Sequence, residues 1–69
     1  MRVLITGASG FVGGAVACRL ARDGHDVRGF VRPSADVARL AAAGIDVVRG
    51  DVCDRDSLVR ALHGCSRVI

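Results

Sequence analysis

Apolar residues fall along this chain in two alternating patterns. Four short runs rich in valine and isoleucine are typical of parallel strands that are buried on both faces. These runs are Arg2–Thr6, Asp26–Arg32, Ile45–Arg49 and Ser66–Ile69. Between the runs, apolar residues recur three and four positions apart, which predicts three helices. The order β-α-β-α-β-α-β follows, and it indicates a parallel sheet with helices on both faces.

Start and stop signals bound the predicted helices. The first is predicted from Phe11 to Asp23 and the third from about Arg55 to His63. Ser34, with Asp36 in the first turn, is predicted to cap the second helix, and Asp54 is predicted to cap the third. Glycine adopts the left-handed conformation that often follows a helix, so three glycines are predicted to end these helices. They are Gly24, Gly44 and Gly64.

One face of each helix carries most of its large apolar residues and is predicted to pack on the sheet. The inner-face residues are Val12, Val16 and Leu20 in the first helix, Val37, Leu40 and Ala41 in the second, and Leu58, Val59 and Leu62 in the third. Gly13 and Ala15 beside the first stripe are expected to permit close packing. Right-handed crossovers then predict an α/β fold, the first half of a doubly wound sheet with strand order 3-2-1-4.

A glycine-rich segment joins the first strand to the first helix. Directly after Val3-Leu4-Ile5 the chain reads Thr6-Gly7-Ala8-Ser9-Gly10-Phe11-Val12-Gly13. In such a turn the first glycine allows a sharp bend, the second lets a pyrophosphate approach the backbone, and the third lets the helix pack closely. The helix start also offers unpaired N–H groups to an anion. The segment predicts a dinucleotide site, and the alternative is a structural turn without a ligand.

The end of the second strand bears on the choice between NAD and NADP. An acidic residue there accepts hydrogen bonds from the ribose hydroxyls, whereas an arginine pairs with a 2′-phosphate. The strand ends in Val31-Arg32-Pro33-Ser34, and Asp26 lies at its opposite end. Arg32 therefore favours NADP over NAD, and Ser34 is a second candidate for the phosphate. The alternatives are a solvent-facing charge at Arg32 and helix capping alone at Ser34.

Composition argues against several other classes of function. The net charge of +3 comes from scattered arginines without interleaved aromatic residues, so no nucleic-acid partner is predicted. Because no apolar stretch approaches about 20 residues, no membrane partner is predicted. The apolar segment at the start of the chain is too short for a signal peptide, so a cytoplasmic location is expected.

The cysteines and histidines indicate no metal site. The three cysteines lack Cys-x-x-Cys spacing, which predicts reduced, partly buried thiols rather than a disulfide framework or a zinc site. They are Cys18, Cys53 and Cys65. His25 and His63 stand alone and are expected at the surface or at helix ends.

The spacing Thr-Gly-x-x-Gly-x-x-Gly, ending in Gly10-Phe11-Val12-Gly13, resembles the extended short-chain dehydrogenase/reductase superfamily. Within it, the segment is similar to the NAD-dependent epimerase/dehydratase group, which includes sugar epimerases and dihydroflavonol-reductase-like proteins. The resemblance implies a Rossmann-type fold that binds a dinucleotide. The implied cofactor-binding residues of the loop are Gly7, Ser9, Gly10, Phe11, Val12 and Gly13.

The pair Asp51-Val52 after the third strand resembles an Asp-Val or Asp-Leu pair of the same family. There the aspartate lies near the adenine amine and the apolar residue lies beside the ring. The resemblance implies these roles for Asp51 and Val52. The alternative for Asp51 is that its carboxylate caps a turn.

The family's reaction uses a Tyr-x-x-x-Lys pair and a serine or threonine further along, but this chain contains no tyrosine and no lysine. No catalytic residue is therefore predicted. The resemblance implies that residues 1–69 are the N-terminal part of an NAD(P)-binding Rossmann domain, which alone binds cofactor at best.

The complete protein is expected to be an oxidoreductase or an epimerase/dehydratase, with a homodimer as one expected assembly. Its expected substrate is a sugar nucleotide or a small hydroxy/keto compound. The alternative is an NADP-sensing regulator or assembly factor without catalysis.

Overall fold

The computed structural model describes residues 2–69 and confirms the predicted order of elements. The strands in this part of the chain are β1 (Arg2–Thr6), β2 (Asp26–Val31), β3 (Asp46–Arg49) and β4 (Arg67–Val68). The helices are α1 (Phe11–Arg22), α2 (Ala38–Ala42) and α3 (Arg55–Leu62). The strands, α1 and α3 differ from their predicted bounds by no more than one residue at either end.

The strands of the described sheet run parallel in the order β3-β2-β1-β4, which confirms the predicted fold class. Val3 lies opposite Val27 of β2 and Arg67 of β4, and Phe30 lies opposite Val48 of β3. Because parallel strands end at the same side of a sheet, the segments that follow β1, β2 and β3 meet there. We call this side the carboxyl edge.

Successive residues of β1 pack into cores on opposite faces of the sheet. Val3 and Ile5 join the cluster formed with α1 and α2, whereas Leu4 joins Phe30 and Ala61 beneath α3. This alternation is the two-residue period of a strand. Since both faces are covered, β1 is apolar at every interior position, which is why its sequence reads as an unbroken apolar run.

The buried faces of α1 and α3 differ from the predicted ones. Val12 is 71% exposed, and Val59 also faces outward. The buried positions are instead small residues, which are Gly14 and Ala17 in α1 and Ser57 and Ala61 in α3. Small side chains let a helix approach the sheet closely, so the larger Val16 and Leu20 pack only at the margin of the contact. Ala41 and Leu62, predicted on the inner faces, are likewise exposed, as is Ala15, which was expected to permit close packing.

The prediction that Ser34 caps α2 is wrong. The helix begins at Ala38, and its N-cap residue, Val37, provides no side-chain hydrogen bond. Asp36 instead accepts a hydrogen bond from the Ala38 N–H at 3.0 Å. The chain stays irregular through residue 37 because Ala35 and Val37 pack against the core, which fixes the path between β2 and α2.

The predicted helix-ending glycines are confirmed by their backbone geometry. Gly24, Gly44 and Gly64 have φ of +92°, +75° and +78°, in the left-handed region that favours glycine. Asp54 caps α3 as predicted, since its side chain accepts a hydrogen bond from the Asp56 N–H. Among the described residues, no helix is both long and apolar enough to cross a membrane.

Candidate functional site

A cleft of about 420 Å³ opens at the carboxyl edge of the sheet. Its walls come from the β1–α1 turn, the end of β2 and the segment after β3. The lining residues are Thr6, Gly7, Ser9, Phe30, Val31, Arg32, Gly50, Asp51, Val52 and Cys53. The parallel topology thus brings together the three segments that carry the predicted site residues.

The glycine loop has the geometry that its spacing predicts. Gly7 has a φ of +63°, and its carbonyl accepts a hydrogen bond from the Gly10 N–H at 3.0 Å, which closes a tight turn. A Cβ added at Gly13 would collide with the backbone carbonyl of Gly7. The loop therefore needs glycine at position 7 for its backbone conformation and at position 13 for the close approach of α1.

The N-terminus of α1 has no negative partner among the residues that the structure describes. Its N-cap residue is Gly10, no side chain caps it, and its first turn contains no acidic residue. Phe11 is 88% exposed, so the first turn of the helix lies open to solvent. Unpaired N–H groups at the positive end of a helix dipole fit a phosphate. Ser9, also exposed, lies in the cleft wall directly before the helix.

Arg32 carries a positive charge at the cleft wall where β2 ends. Its side chain is exposed and has no hydrogen bond or ion pair within the described residues. Asp26 lies at the other end of β2, where it accepts a hydrogen bond from Arg2 at 2.9 Å. Ser34 is exposed and is not among the residues that line the cleft. The end of β2 therefore presents a positive charge to the cleft.

Asp51 and Val52, in the segment that follows β3, also line the cleft. The Asp51 carboxylate accepts a hydrogen bond from the Cys53 N–H at 2.9 Å, so it caps a turn, which is the alternative role that the sequence left open. Val52 is 61% exposed and offers an apolar surface on which a flat ring could rest. The Asp51 carboxylate remains at the cleft wall and accessible to solvent.

Sequence reasoning missed five residues that line the cleft, which are Thr6, Phe30, Val31, Gly50 and Cys53. Cys53 lines the cleft, and nothing in the spacing of the cysteines signals that position. Thr6 also lines the cleft, and its hydroxyl donates to the Ile69 carbonyl at 2.9 Å. The hydroxyl therefore connects the ends of β1 and β4.

The groups that line the described cleft are of kinds that bind a nucleotide. The described residues include no cluster of histidines, cysteines and carboxylates that could hold a metal ion. The three cysteines are free thiols, and both histidines are exposed. What the cleft offers is backbone N–H groups, one arginine, one carboxylate and an apolar wall, which suits the phosphates and the flat base of a nucleotide.

A family model described as NAD(P)H-binding matches residues 7–69. The chain is 38% identical over 64 residues to a 2-alkyl-3-oxoalkanoate reductase of Shewanella oneidensis, covering 93% of this chain and 16% of that protein. Three other curated relatives are matched over 23%, 21% and 24% of their lengths. The chain thus spans about a quarter or less of the curated relatives that it matches.

Solved structures of longer proteins share this fold. A nucleoside-diphosphate-sugar epimerase from Pseudomonas aeruginosa superposes with a TM-score of 0.90 at 31% identity, over 99% of this chain and 22% of the epimerase. A short-chain dehydrogenase/reductase superfamily protein from Agrobacterium tumefaciens, with bound NAD, gives 0.79 at 38% identity, over 99% and 19%. An NADPH-dependent quinone oxidoreductase from Escherichia coli gives 0.78 at 31% identity, over 99% and 25%.

Proposed function

Because this chain belongs to the NAD(P)H-binding family, we propose that its cleft holds the adenosine and pyrophosphate half of a nicotinamide dinucleotide. The observation that carries the proposal is the N-terminus of α1, which has no side-chain cap and no acidic residue in its first turn. A helix that begins without a protein anion beside a glycine turn is suited to a bound phosphate.

Each part of the dinucleotide has candidate contacts at the carboxyl edge. The backbone of the glycine loop would hold the pyrophosphate, through Gly7, Ser9, Gly10, Phe11, Val12 and Gly13. Asp51 and Val52 would flank the adenine, and Arg32 would pair with a 2′-phosphate. Ser34 stays a weaker candidate for that phosphate, because it lies in the exposed loop and not among the residues that line the cleft.

We propose that the cofactor is NADP(H) rather than NAD(H). Similar proteins do not decide this, since one neighbour holds NAD and another is NADPH-dependent. The support is Arg32, an exposed and unpartnered guanidinium at the end of β2. A guanidinium forms charge-assisted, often bidentate hydrogen bonds with a phosphate. A neutral ribose hydroxyl cannot form such bonds with it.

The test is to compare NADPH and NADH binding in the protein and in Arg32→Ala. NADPH should bind more tightly to the unmutated protein, and Arg32→Ala should lose most of that difference, about 1–3 kcal/mol for a charge-assisted contact. NADH affinity should change little. Arg22→Ala, an exposed arginine in the last turn of α1, is the matched control and should keep the preference. Equal affinities for the two cofactors in the unmutated protein would contradict the proposal.

For the complete protein we propose a reductase or an epimerase/dehydratase that contains residues 1–69 as the N-terminal part of its cofactor-binding domain. The substrate class would be a sugar nucleotide or a small hydroxy/keto compound. A 2-alkyl-3-oxoalkanoate reductase and a nucleoside-diphosphate-sugar epimerase among the similar proteins support these classes. When bound, the nicotinamide supplies or accepts a hydride. A homodimer stays a prediction for the complete protein.

An assay of the complete protein separates these possibilities. Reduction would be seen as NADPH oxidation with ketones, and epimerisation as interconversion of nucleotide sugars without net cofactor consumption. Cofactor binding without turnover of either substrate class would instead favour the non-catalytic NADP-sensing alternative.

A further inference from the structure

The side chain of Arg49, at the end of β3, reaches the loop that follows β2. Its Nη1 donates to the carbonyl oxygens of Pro33 and Ala35, at 2.9 Å in both cases. The same nitrogen lies 3.5 Å from the carbonyl oxygen of Arg32. One guanidinium therefore gathers three carbonyls of the loop that carries the candidate phosphate-binding arginine.

The strand ends next to this contact are already fixed by the backbone. Val31 and Arg49 are paired across β2 and β3, and the Gly50 N–H donates to the Val31 carbonyl at 2.9 Å. Arg49 thus starts from a rigid strand and contacts a segment that is not part of the sheet. A side chain that leaves a well-ordered strand can impose its position on a loop, because its own backbone loses little freedom.

The first residues of the loop have little other support, because packing against the core begins only at Ala35. Residues 32–34 are exposed, and the Ala35 N–H donates to the Arg32 carbonyl at 3.1 Å in a single turn. α2, which follows, begins only at Ala38, where the Asp36 carboxylate accepts a hydrogen bond from the Ala38 N–H. Loss of the Arg49 contacts would return these carbonyls to water and let the backbone of residues 32–35 move.

Arg49 is not among the residues that line the cleft, whereas Arg32 is. We propose that Arg49 is a positioning residue for cofactor discrimination, holding the loop backbone so that the Arg32 side chain is ready for a 2′-phosphate. This inference rests on the proposed preference for NADP(H). Ordering one long side chain on binding lowers affinity by about two- to tenfold, and a loop fixed in advance removes part of that loss.

The variants that test this role are Arg49→Met, which keeps the aliphatic stem but removes every donor, and Arg49→Lys. A single nitrogen makes the contacts, so an ammonium group, which has three donors, should restore part of them. Arg22→Met is the matched control on α1. Circular dichroism and thermal melting establish that each variant is folded before binding is measured.

Two measurements are made on these variants. The first is the affinity for NADPH and for NADH, in the unmutated protein and in the Arg32→Ala background. Arg49→Met should weaken NADPH binding about two- to tenfold and leave NADH binding unchanged, and the loss should vanish when Arg32 is already alanine. The second is amide hydrogen exchange of residues 34–38 without cofactor, which should be faster in Arg49→Met and partly restored in Arg49→Lys.

The outcomes separate this inference from the proposed function. If the unmutated protein prefers NADPH and Arg49→Met keeps that preference in full, the positioning role is wrong and the NADP proposal stands. If Arg49→Met weakens NADPH binding equally with and without Arg32, Arg49 contacts the phosphate itself and the positioning role is again wrong. If the unmutated protein shows no preference, both proposals fail, and the exchange data then report only on the loop.

Discussion

α1 and α3 begin at the same edge of the sheet, yet their N-termini are opposite in character. At α1 the N-cap is Gly10, and no acidic residue lies in the first turn. At α3 the Asp54 carboxylate accepts hydrogen bonds from the Asp56 N–H at 3.1 Å and from the Ser57 hydroxyl at 2.8 Å. Asp56 adds a second negative charge to the first turn of α3.

The difference lies in where the negative charge comes from. Every helix start has unpaired N–H groups and the positive end of a dipole. α3 satisfies part of this need with the Asp54 carboxylate, which accepts a hydrogen bond from the Asp56 N–H. α1 offers the same groups to solvent, so an anion from outside can bind there. A helix N-terminus alone therefore does not make a site, and the residues beside it decide whether one is present.

The largest effect is expected for Gly10→Asp, which gives the N-terminus of α1 a carboxylate like the one at the N-terminus of α3. In Gly10→Asp the new carboxylate would accept hydrogen bonds from N–H groups at the start of α1, and it would repel the pyrophosphate. Affinity for NADPH should fall by at least about a hundredfold, since placing like charges together costs several kcal/mol. The melting temperature should change little, because aspartate is a slightly better N-cap than glycine but its Cβ would lie 3.3 Å from the Gly7 carbonyl oxygen.

Titration of NADPH into Gly10→Asp and Gly10→Asn checks this expectation. Asparagine has the same size and also caps a helix, but it carries no charge. Its loss of affinity should be smaller by about tenfold if charge is the main cause. Equal losses in the two variants would show that bulk, rather than charge, excludes the ligand.

A second test concerns how closely α1 approaches the glycine loop. In Gly13→Ala the new methyl group would collide with the backbone carbonyl of Gly7, whereas in Gly10→Ala it would lie 3.3 Å from that oxygen. The free energy of unfolding should fall by about 2 kcal/mol in Gly13→Ala, which is typical of overpacking. Urea unfolding of both variants provides the measurement. A smaller loss for Gly13→Ala than for Gly10→Ala would count against the close approach of α1.

At α3 the corresponding change should affect stability but not binding. Asp54→Ala removes the carboxylate that caps the helix and should lower the free energy of unfolding by about 1 kcal/mol. NADPH affinity should be unchanged, because the Asp54 carboxylate is engaged by the Asp56 N–H and the Ser57 hydroxyl at the start of α3. Asp56→Ala, which removes only a first-turn charge, should cost a few tenths of a kcal/mol. If Asp54→Ala lost as much cofactor affinity as Gly10→Asp, the proposed difference between the N-termini of α1 and α3 would be contradicted.

The smallest effect is a pH dependence that belongs to α3. The hydrogen bond from the Ser57 hydroxyl, followed by those from backbone N–H groups, lowers the pKa of Asp54 below its ordinary value of 3.8. A lowered folded-state pKa stabilises the fold fully above the ordinary value, and this contribution disappears as the pH falls through the folded-state pKa. The stability difference between the unmutated protein and Asp54→Asn should therefore shrink on acidification. Urea unfolding at several pH values checks this, and a difference that is constant down to strongly acidic pH would contradict it.

The sequence predicted best those features whose causes are local. The apolar run of β1, the glycines that end the helices and the Asp54 cap depend on a few adjacent residues, and all were found. The predicted inner faces of α1 and α3 were partly wrong, because the spacing pattern identifies only large apolar residues. The buried positions are instead small, such as Gly14 and Ala61, and these carry no strong hydrophobic signal.

Features that depend on tertiary contacts could not be predicted from local sequence patterns. Ser34 has the side chain of a helix cap, but α2 begins only at Ala38, after a loop that Arg49 holds from another strand. The sequence left two roles open for the Asp51 carboxylate, of which the structure shows the turn cap. The candidate site followed from the sequence because a glycine motif and a parallel topology together place three segments at one edge.

The position of β1 between β2 and β4 has a consequence for the order in which the sheet can assemble. Val3 pairs with Val27, 24 residues later, and with Arg67, 64 residues later. Closing the longer loop costs about 0.9 kcal/mol more in chain entropy. A chain synthesised from its amino end can therefore pair β1 with β2 while the other side of β1 still has no partner. The hydrogen bonds of Thr6 to the Ile69 carbonyl are among the last that this part of the polypeptide can make.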